Sequence, residues 1–554
     1  MPPAPRPEPP TRRALTLRRG VAFLVLGSVV LAAAAFVVLL RGTADPPARA
    51  TDAAALAETL DRVLDRRQRP LDPGIAIRSF AGAEGDAAVA AQAGVVCDAL
   101  ARRLARLPGL RVASCASTQL ALAAGLDDAA LARLLDARWI VAGALRVADG
   151  GRLHVQVALR EPGGAAAAWQ VDEPLAPAAL QALPERAAQA VAQLLGRSAP
   201  PVQTQLLADA DYERFVRASM LARRPVIDEL REAWRLVEEV LAAAPDHVPS
   251  LYLRQSLRPR LDGFLGGGPG EQGDPERIAA AQAQIMRDAG ALGVQLAGRD
   301  PGDPRARLML ANAAIYARDW TEAFAQVDAV IAAAPQQPGV LRSAAKLHLM
   351  AGYVERARAL AFEAVRVDAL DASSVEYLAT TQGMQGRDEA MRELLTIAAQ
   401  VGHGGTDLFE AILARRRTDW PAFERAMDAY ARNTDRDAGW VPAYARGAAD
   451  PAQREAAARL LDAHESGLRF YMSDYFVEYA LLGDTARALA AIRRHAKQPP
   501  KLWLEYLWWP ELAEVRRDPG FAGAMHDLGL PALWERRGAP DLCARGADGR
   551  WVCR

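Results

Sequence analysis

Thr321-Glu322-Ala323, Glu355-Arg356-Ala357 and Asp388-Glu389-Ala390 set a small alanine at a near-constant interval, the second step one position shorter than the first, and each triplet heads an apolar helical stretch. A period of roughly 34 residues holds two helices and a turn. One such pair cannot bury its own apolar face, so pairs stack into a solenoid. Arg231-Glu232-Ala233 extends the beat: Ala233 precedes Pro245 by the same distance as Ala323 precedes Pro335. Both prolines end an alanine-rich helix, because a ring without an N–H cannot continue the ladder. Gly352 lies five residues before Ala357 and Gly483 five before Ala488, where the turn within a pair favours glycine. Ala233, Ala323, Ala357, Ala390 and Ala488 are therefore expected at helix–helix contacts, where a small side chain lets two backbones approach.

These residues resemble the tetratricopeptide pattern, most strongly over 304–395 and more loosely over 205–500. Leu310 and Ala311 fit it, whereas Ala314 stands where a tyrosine is common. The resemblance implies a curved surface that holds another protein. Residues 255–303 interrupt the rhythm, with a loop at Gly263–Gly273 and a new helix start at Asp274-Pro275-Glu276. The last segment, 501–554, contains five of the eleven tryptophans. Its stretch from Leu507 to Trp534 resembles the end of tetratricopeptide membrane proteins. A solenoid end needs a cap over its last apolar face, which Trp503, Trp508, Trp509 and Trp534 are suited to supply.

At the other end, Val21–Leu40 reads VAFLVLGSVVLAAAAFVVLL, an uncharged apolar run. It is long enough to span a bilayer as a helix. Arg12, Arg13, Arg18 and Arg19 precede it without an acidic residue between, which keeps 1–20 on the cytoplasmic side. A cleaved signal peptide is the alternative, but its apolar region is normally shorter. The expected fold class is thus membrane-anchored α/β plus all-α. It comprises one transmembrane helix (21–40), a linker and helix (41–72), a small α/β domain (73–197), the repeats (205–500) and the cap (501–554). Only three lysines occur beside many arginines and alanines, a composition that suggests a GC-rich bacterium. The expected placement is a single-pass inner-membrane protein with its bulk in the periplasm.

Between 73 and 197 the order reads β-α-β-α-β-β-β-α, with Asp149-Gly150-Gly151 as a hairpin signal. The strings from Ile75 to Phe80, from Leu107 to Val112 and from Ala137 to Glu161, followed by a strand with Trp169, resemble the TolB-like amino-terminal domain. That domain precedes tetratricopeptide repeats in bacterial membrane proteins, often in transmembrane winged-helix regulators. Residues 1–20 are too short for a winged helix, so the resemblance does not bring DNA binding with it.

The 67 basic and 67 acidic residues balance, which argues against a polyanionic partner such as nucleic acid. The four cysteines would lie in an oxidising compartment and favour disulfides. Cys543 and Cys553 bracket a short segment and are expected to pair; Cys97 and Cys115 pair only if a helix packs over the following strand. Gly268–Gly273 matches G-x-G-x-x-G but sits in a proline-broken loop rather than between a strand and a helix, so it reads as a linker. No Walker A, H-E-x-x-H or G-x-S-x-G motif occurs, and the seven histidines are isolated. No catalytic, cofactor or metal residue is assigned. The expected function is a non-enzymatic, membrane-tethered scaffold or adaptor with a protein partner and the lipid bilayer held through 21–40. The alternative is a sensory subunit like the exported half of a transmembrane regulator.

Overall fold

A computed structural model describes residues 53–64, 74–78, 80–82, 86–123, 125–164, 167–200, 205–223, 226–263, 275–400, 405–433, 438–467, 475–497 and 504–554. The amino-terminal unit begins with α1 (Ala53–Leu64) and β1 (Gly74–Ile77). It continues through α2 (Ala87–Leu104), β2 (Arg111–Ala113), α3 (Cys115–Ala123) and α4 (Asp128–Leu135). It ends with β3 (Ala137–Val147), β4 (Leu153–Arg160), β5 (Ala167–Leu175) and α5 (Leu183–Leu194). The sheet order is β2-β1-β3-β4-β5, with β1 parallel to both neighbours and the last three strands antiparallel. Asp86 caps α2 by accepting from the Ala88 and Val89 N–H groups, and Asp127 caps α4 through Ala130. Along β4, Leu153, Val155, Val157 and Leu159 are buried and the residues between them half-buried, the period of a sheet with one packed face. That face meets α2 and α5. Helix α3 was not expected; its sequence CASTQLALA has no apolar stripe at helical spacing to mark it.

The repeats follow as helix pairs. Two pairs, α6 (Asp209–Leu221) with α7 (Ile227–Ala243) and α8 (Val248–Gly263) with α9 (Pro275–Arg299), share a small core of their own with Ala306. Then come α10 (Pro304–Tyr316) with α11 (Trp320–Ala333), α12 (Pro338–Met350) with α13 (Val354–Val367), and α14 (Ala372–Met384) with α15 (Asp388–Gln400). The first helices of these three pairs start at Pro304, Pro338 and Ala372, and the second at Trp320, Val354 and Asp388. Both series are evenly spaced, at the period of a tetratricopeptide pair. The stack continues with α16 (Asp407–Arg416) and α17 (Trp420–Asn433), α18 (Val441–Ala449) and α19 (Arg454–Gly467), and α20 (Phe476–Leu482) and α21 (Thr485–Lys497).

The fourth residue of each second helix from α11 onward is Ala323, Ala357, Met391, Phe423, Ala457 or Ala488, and all are 2% exposed or less. The buried beat therefore runs evenly from Ala323 through Ala357 to Met391. Ala390 stands one position earlier and is half-buried. Gly383 makes room for the longer side chain: a Cβ there would overlap the Met391 sulfur and the Trp509 ring. Ala233 is fully buried within α7.

The membrane-anchored fold class and the single-pass inner-membrane placement are corrected. The described chain is a mostly helical, tetratricopeptide-like solenoid with a small sheet, and no helix among the described residues is long and apolar enough to cross a membrane. The longest, α9, carries Glu276, Arg277, Arg287, Asp288 and Arg299 in its 25 residues. The run Val21–Leu40, on which the expectation rested, lies outside the described residues, as do Trp503 and Gly268–Gly273.

One core runs from Leu56 through Ile140 and the repeats to Cys553, so the second face of the sheet and the solenoid share apolar contacts. Polar contacts tighten this seam. Arg111, at the start of β2, donates to the Arg366 carbonyl at 3.3 Å, and Arg106 pairs with Asp300. The Asp368 carboxylate accepts from the Ser114 N–H at 3.1 Å and the Ser117 hydroxyl at 2.8 Å.

Candidate protein-binding groove

The first helices of consecutive pairs, α12 and α14, touch each other directly, so they line the inner side of the stack, where a tetratricopeptide solenoid usually holds a partner. Here that side is occupied by the chain's own end. The tail comprises turns at Leu504–Trp508 and Pro510–Leu512, then α22 (Ala513–Arg517), α23 (Pro519–Asp527), α24 (Leu530–Arg537) and a hairpin of β6 (Cys543–Arg545) with β7 (Trp551–Cys553). Leu504–Trp508 packs on α12, α23 packs on α21, and α24 packs on α11. A cap would cover the last pair alone. This tail instead straps the last pair to the earlier ones.

The strap reads the turns inside the pairs. At the first, Arg318 takes a left-handed backbone (φ 62°) and donates to the Asp527 carbonyl at 2.6 Å and the Ala496 carbonyl at 2.8 Å. Beside it, the Trp320 indole N–H donates to the Leu528 carbonyl at 2.7 Å. At the second turn, Gly352 has φ 89°, and a Cβ on it would fall 2.7 Å from the Trp508 ring. There the Trp534 indole N–H donates to the Ala351 carbonyl at 2.9 Å, and the Glu355 N–H donates to Asp541 at 2.8 Å. Just before the third turn, at the end of α14, Trp509 fills the space over Gly383 and stacks on Phe409 with ring centroids 6.0 Å apart.

Charged side chains fasten the same segment. Arg416 donates to both Glu511 oxygens at 2.7 and 3.0 Å, and also to the Gly383 carbonyl and Asp388. Its guanidinium lies over the Trp509 ring. Arg516 donates to the Leu507, Trp509 and Arg554 carbonyls; burial pulls its pKa down to about 10. Glu505 is buried 3.7 Å from Lys346. Desolvation raises its carboxyl, and the Lys346 charge opposes that rise. Burial likewise drives the phenols of Tyr377 and Tyr506 well above the usual range. Sequence reasoning singled out the tryptophans but missed Lys346, Arg416, Glu505, Glu511 and Arg516. Only the scarcity of lysine gave any hint of Lys346.

The remaining marked residues fall into place around this framework. Cys543 and Cys553 form a disulfide that closes the β6–β7 hairpin, and Cys97 of α2 is joined to Cys115 at the start of α3. Ala323, Ala357 and Ala488 are buried under the strapped pairs. Among the described residues, no three His, Cys, Asp or Glu side chains stand together as a metal cluster.

No protein-family model matches the chain. No curated protein matches it either. Among solved structures the chain is similar to a human IFIT1 dimer with m7Gppp-AAAA, at 14% identity over 56% of this chain and 76% of that one, with a TM-score of 0.32. It is also similar to the APC/C hetero-tetramer Cut9-Hcn1, at 11% identity over 64% and 78% of the two chains, with a TM-score of 0.30. Scores of that size identify neither a shared fold nor a shared function, so the architecture rests on the chain's own helix pairing.

Proposed function

We propose that this chain is a protein-interaction scaffold. The observation that carries the reading is the series of helix pairs described between Pro304 and Lys497, tied to one another by the strap. Such stacks present extended surfaces to other chains. Because the inner side is shut by residues 504–512, the partner engages the second helices where the tail leaves them uncovered and the β4–β5 part of the sheet, beyond its contact with the solenoid. There His154, Gln156, Ala158 and Arg160 of β4 are half-exposed. The α/β unit, of TolB-like kind, acts as the second interaction module. The sensory-subunit reading depends on a membrane span and is not carried forward.

A photo-crosslinking residue placed at Gln156, at Arg392 of α15 or at Lys346 tests this. Discrete protein adducts are expected from the first two and none from Lys346. Adducts from Lys346 alone would return the partner to the inner groove, and no protein adduct from any position would refute the scaffold.

A further inference from the structure

The end of α11, the start of α12 and residues 356–363 of α13 line an open cleft of about 590 Å³, within the size range of small-molecule sites. Its walls are apolar: Ile331, Leu341, Leu360 and Phe362, with Val63 of α1 at one side. Three charged side chains line it. Arg358 is committed to Glu355 at 3.2 Å, and Glu363 to Arg366 at 2.9 Å. The third, Arg356, is exposed and makes no hydrogen bond or ion pair among the described residues. From Arg356 to Glu363 the cleft follows α13 for two turns, roughly 10 Å. It is thus an elongated apolar trough with one uncommitted guanidinium toward its amino-terminal end.

We propose that this cleft binds a small amphipath: an unbranched apolar chain ending in a carboxylate. The walls match the chain, and Arg356 matches the head with a forked pair of N–H donors. One uncommitted cation in the lining suits a monoanion and disfavours a doubly charged phosphate. The ligand would lie against both α1 and the second helices of two repeats, so binding would clasp the amino-terminal helix to the solenoid.

The test uses the full chain, titrated calorimetrically with decanoate below its micelle concentration and with decanol as the uncharged control. Decanoate is expected to bind the unmodified chain at least about tenfold more tightly than decanol, as a charge-assisted hydrogen-bond pair implies. Arg356→Gln should remove that difference and leave decanol unchanged. Ala359→Trp, which fills the trough, should abolish both. Arg356 is exposed, so its replacement is expected to leave the melting curve in place. Equal binding of decanoate and decanol, or decanoate binding that survives either substitution, would overturn the proposal. So would no decanoate binding at all. If decanoate fails and Arg356→Gln instead loses a crosslinked protein, the cleft is a protein-docking groove and the amphipath reading falls.

Discussion

A single methyl decides the spacing of the repeats. Ala357 is fully buried where α13 meets its neighbours, whereas Ala390, the third alanine of the same triplet pattern, is half-buried. Replacing Ala357 by Leu forces three extra carbons into a closed contact and is expected to cost about 1–3 kcal/mol. The same change at Ala390 is expected to fall within about 0.5 kcal/mol, the range of surface changes. Thermal melting of the two variants checks this; equal losses would show that the contacts do not follow the register of Ala323, Ala357 and Met391. The first two triplets were readable because a small residue recurs there at a close helix contact. The slip of one residue at Met391 was not readable. Its compensation, Gly383, lies on the preceding helix and has meaning only once the two are packed together.

At the scale of elements, turns and tail behave differently. Gly352, Gly386 and Gly483 supply the left-handed residue of their turns, but Thr418 adopts φ 57° with a side chain that bonds to the neighbouring Arg417 carbonyl. A β-branched residue in that region is strained by roughly 1–2 kcal/mol. Thr418→Gly is therefore expected to raise stability by about 1 kcal/mol, read as a higher melting temperature. Arg318→Gly should show no such gain, because its side chain holds Asp527 and Ala496. The hairpin at the end is a second local device. Its disulfide closes a separation of 10 residues, so replacing both Cys543 and Cys553 by Ala is expected to cost at most about 3 kcal/mol by chain entropy. Hydrogen exchange should rise in 540–554 and not in α12 or α13. The elements themselves were largely legible, since caps, hairpin glycines and apolar periodicity are local signals. The path of the tail was not, because tryptophans announce burial without naming the surface that buries them. Arg416 and Glu511, which fix that path, are 95 residues apart.

One seam of the whole molecule lies where the amino-terminal unit meets the solenoid around Asp368. This carboxylate is fully buried and has Ser114, Ser117 and the Leu370 N–H as donors, while the nearby Asp371 pairs with Arg342. Desolvation first, then the Asp371 charge, pushes its pKa up to about 7. The unfolded chain gives it an ordinary value of roughly 4. Between those two pH values the folded molecule holds a proton that the unfolded chain has released. Stability from this group therefore falls as pH rises from about 4 to about 7, and is level outside that window. His247 and His348, both lowered by burial to about 4, work in the opposite sense. Their folded forms stay neutral while the unfolded rings take up protons below about 6.5, so their contribution rises with pH across the same range. The net profile thus hides the seam, and a substitution must isolate it. Asp368→Asn keeps a carbonyl oxygen for the Ser114 and Ser117 donors and removes the titration. Melting temperatures of the two proteins are expected to separate progressively between about pH 4 and about pH 7 and then to hold their difference, with the asparagine variant higher at pH 8. Parallel curves from pH 4 to pH 8 would mean that Asp368 is already ionised in the folded chain and that its three donors outweigh its burial.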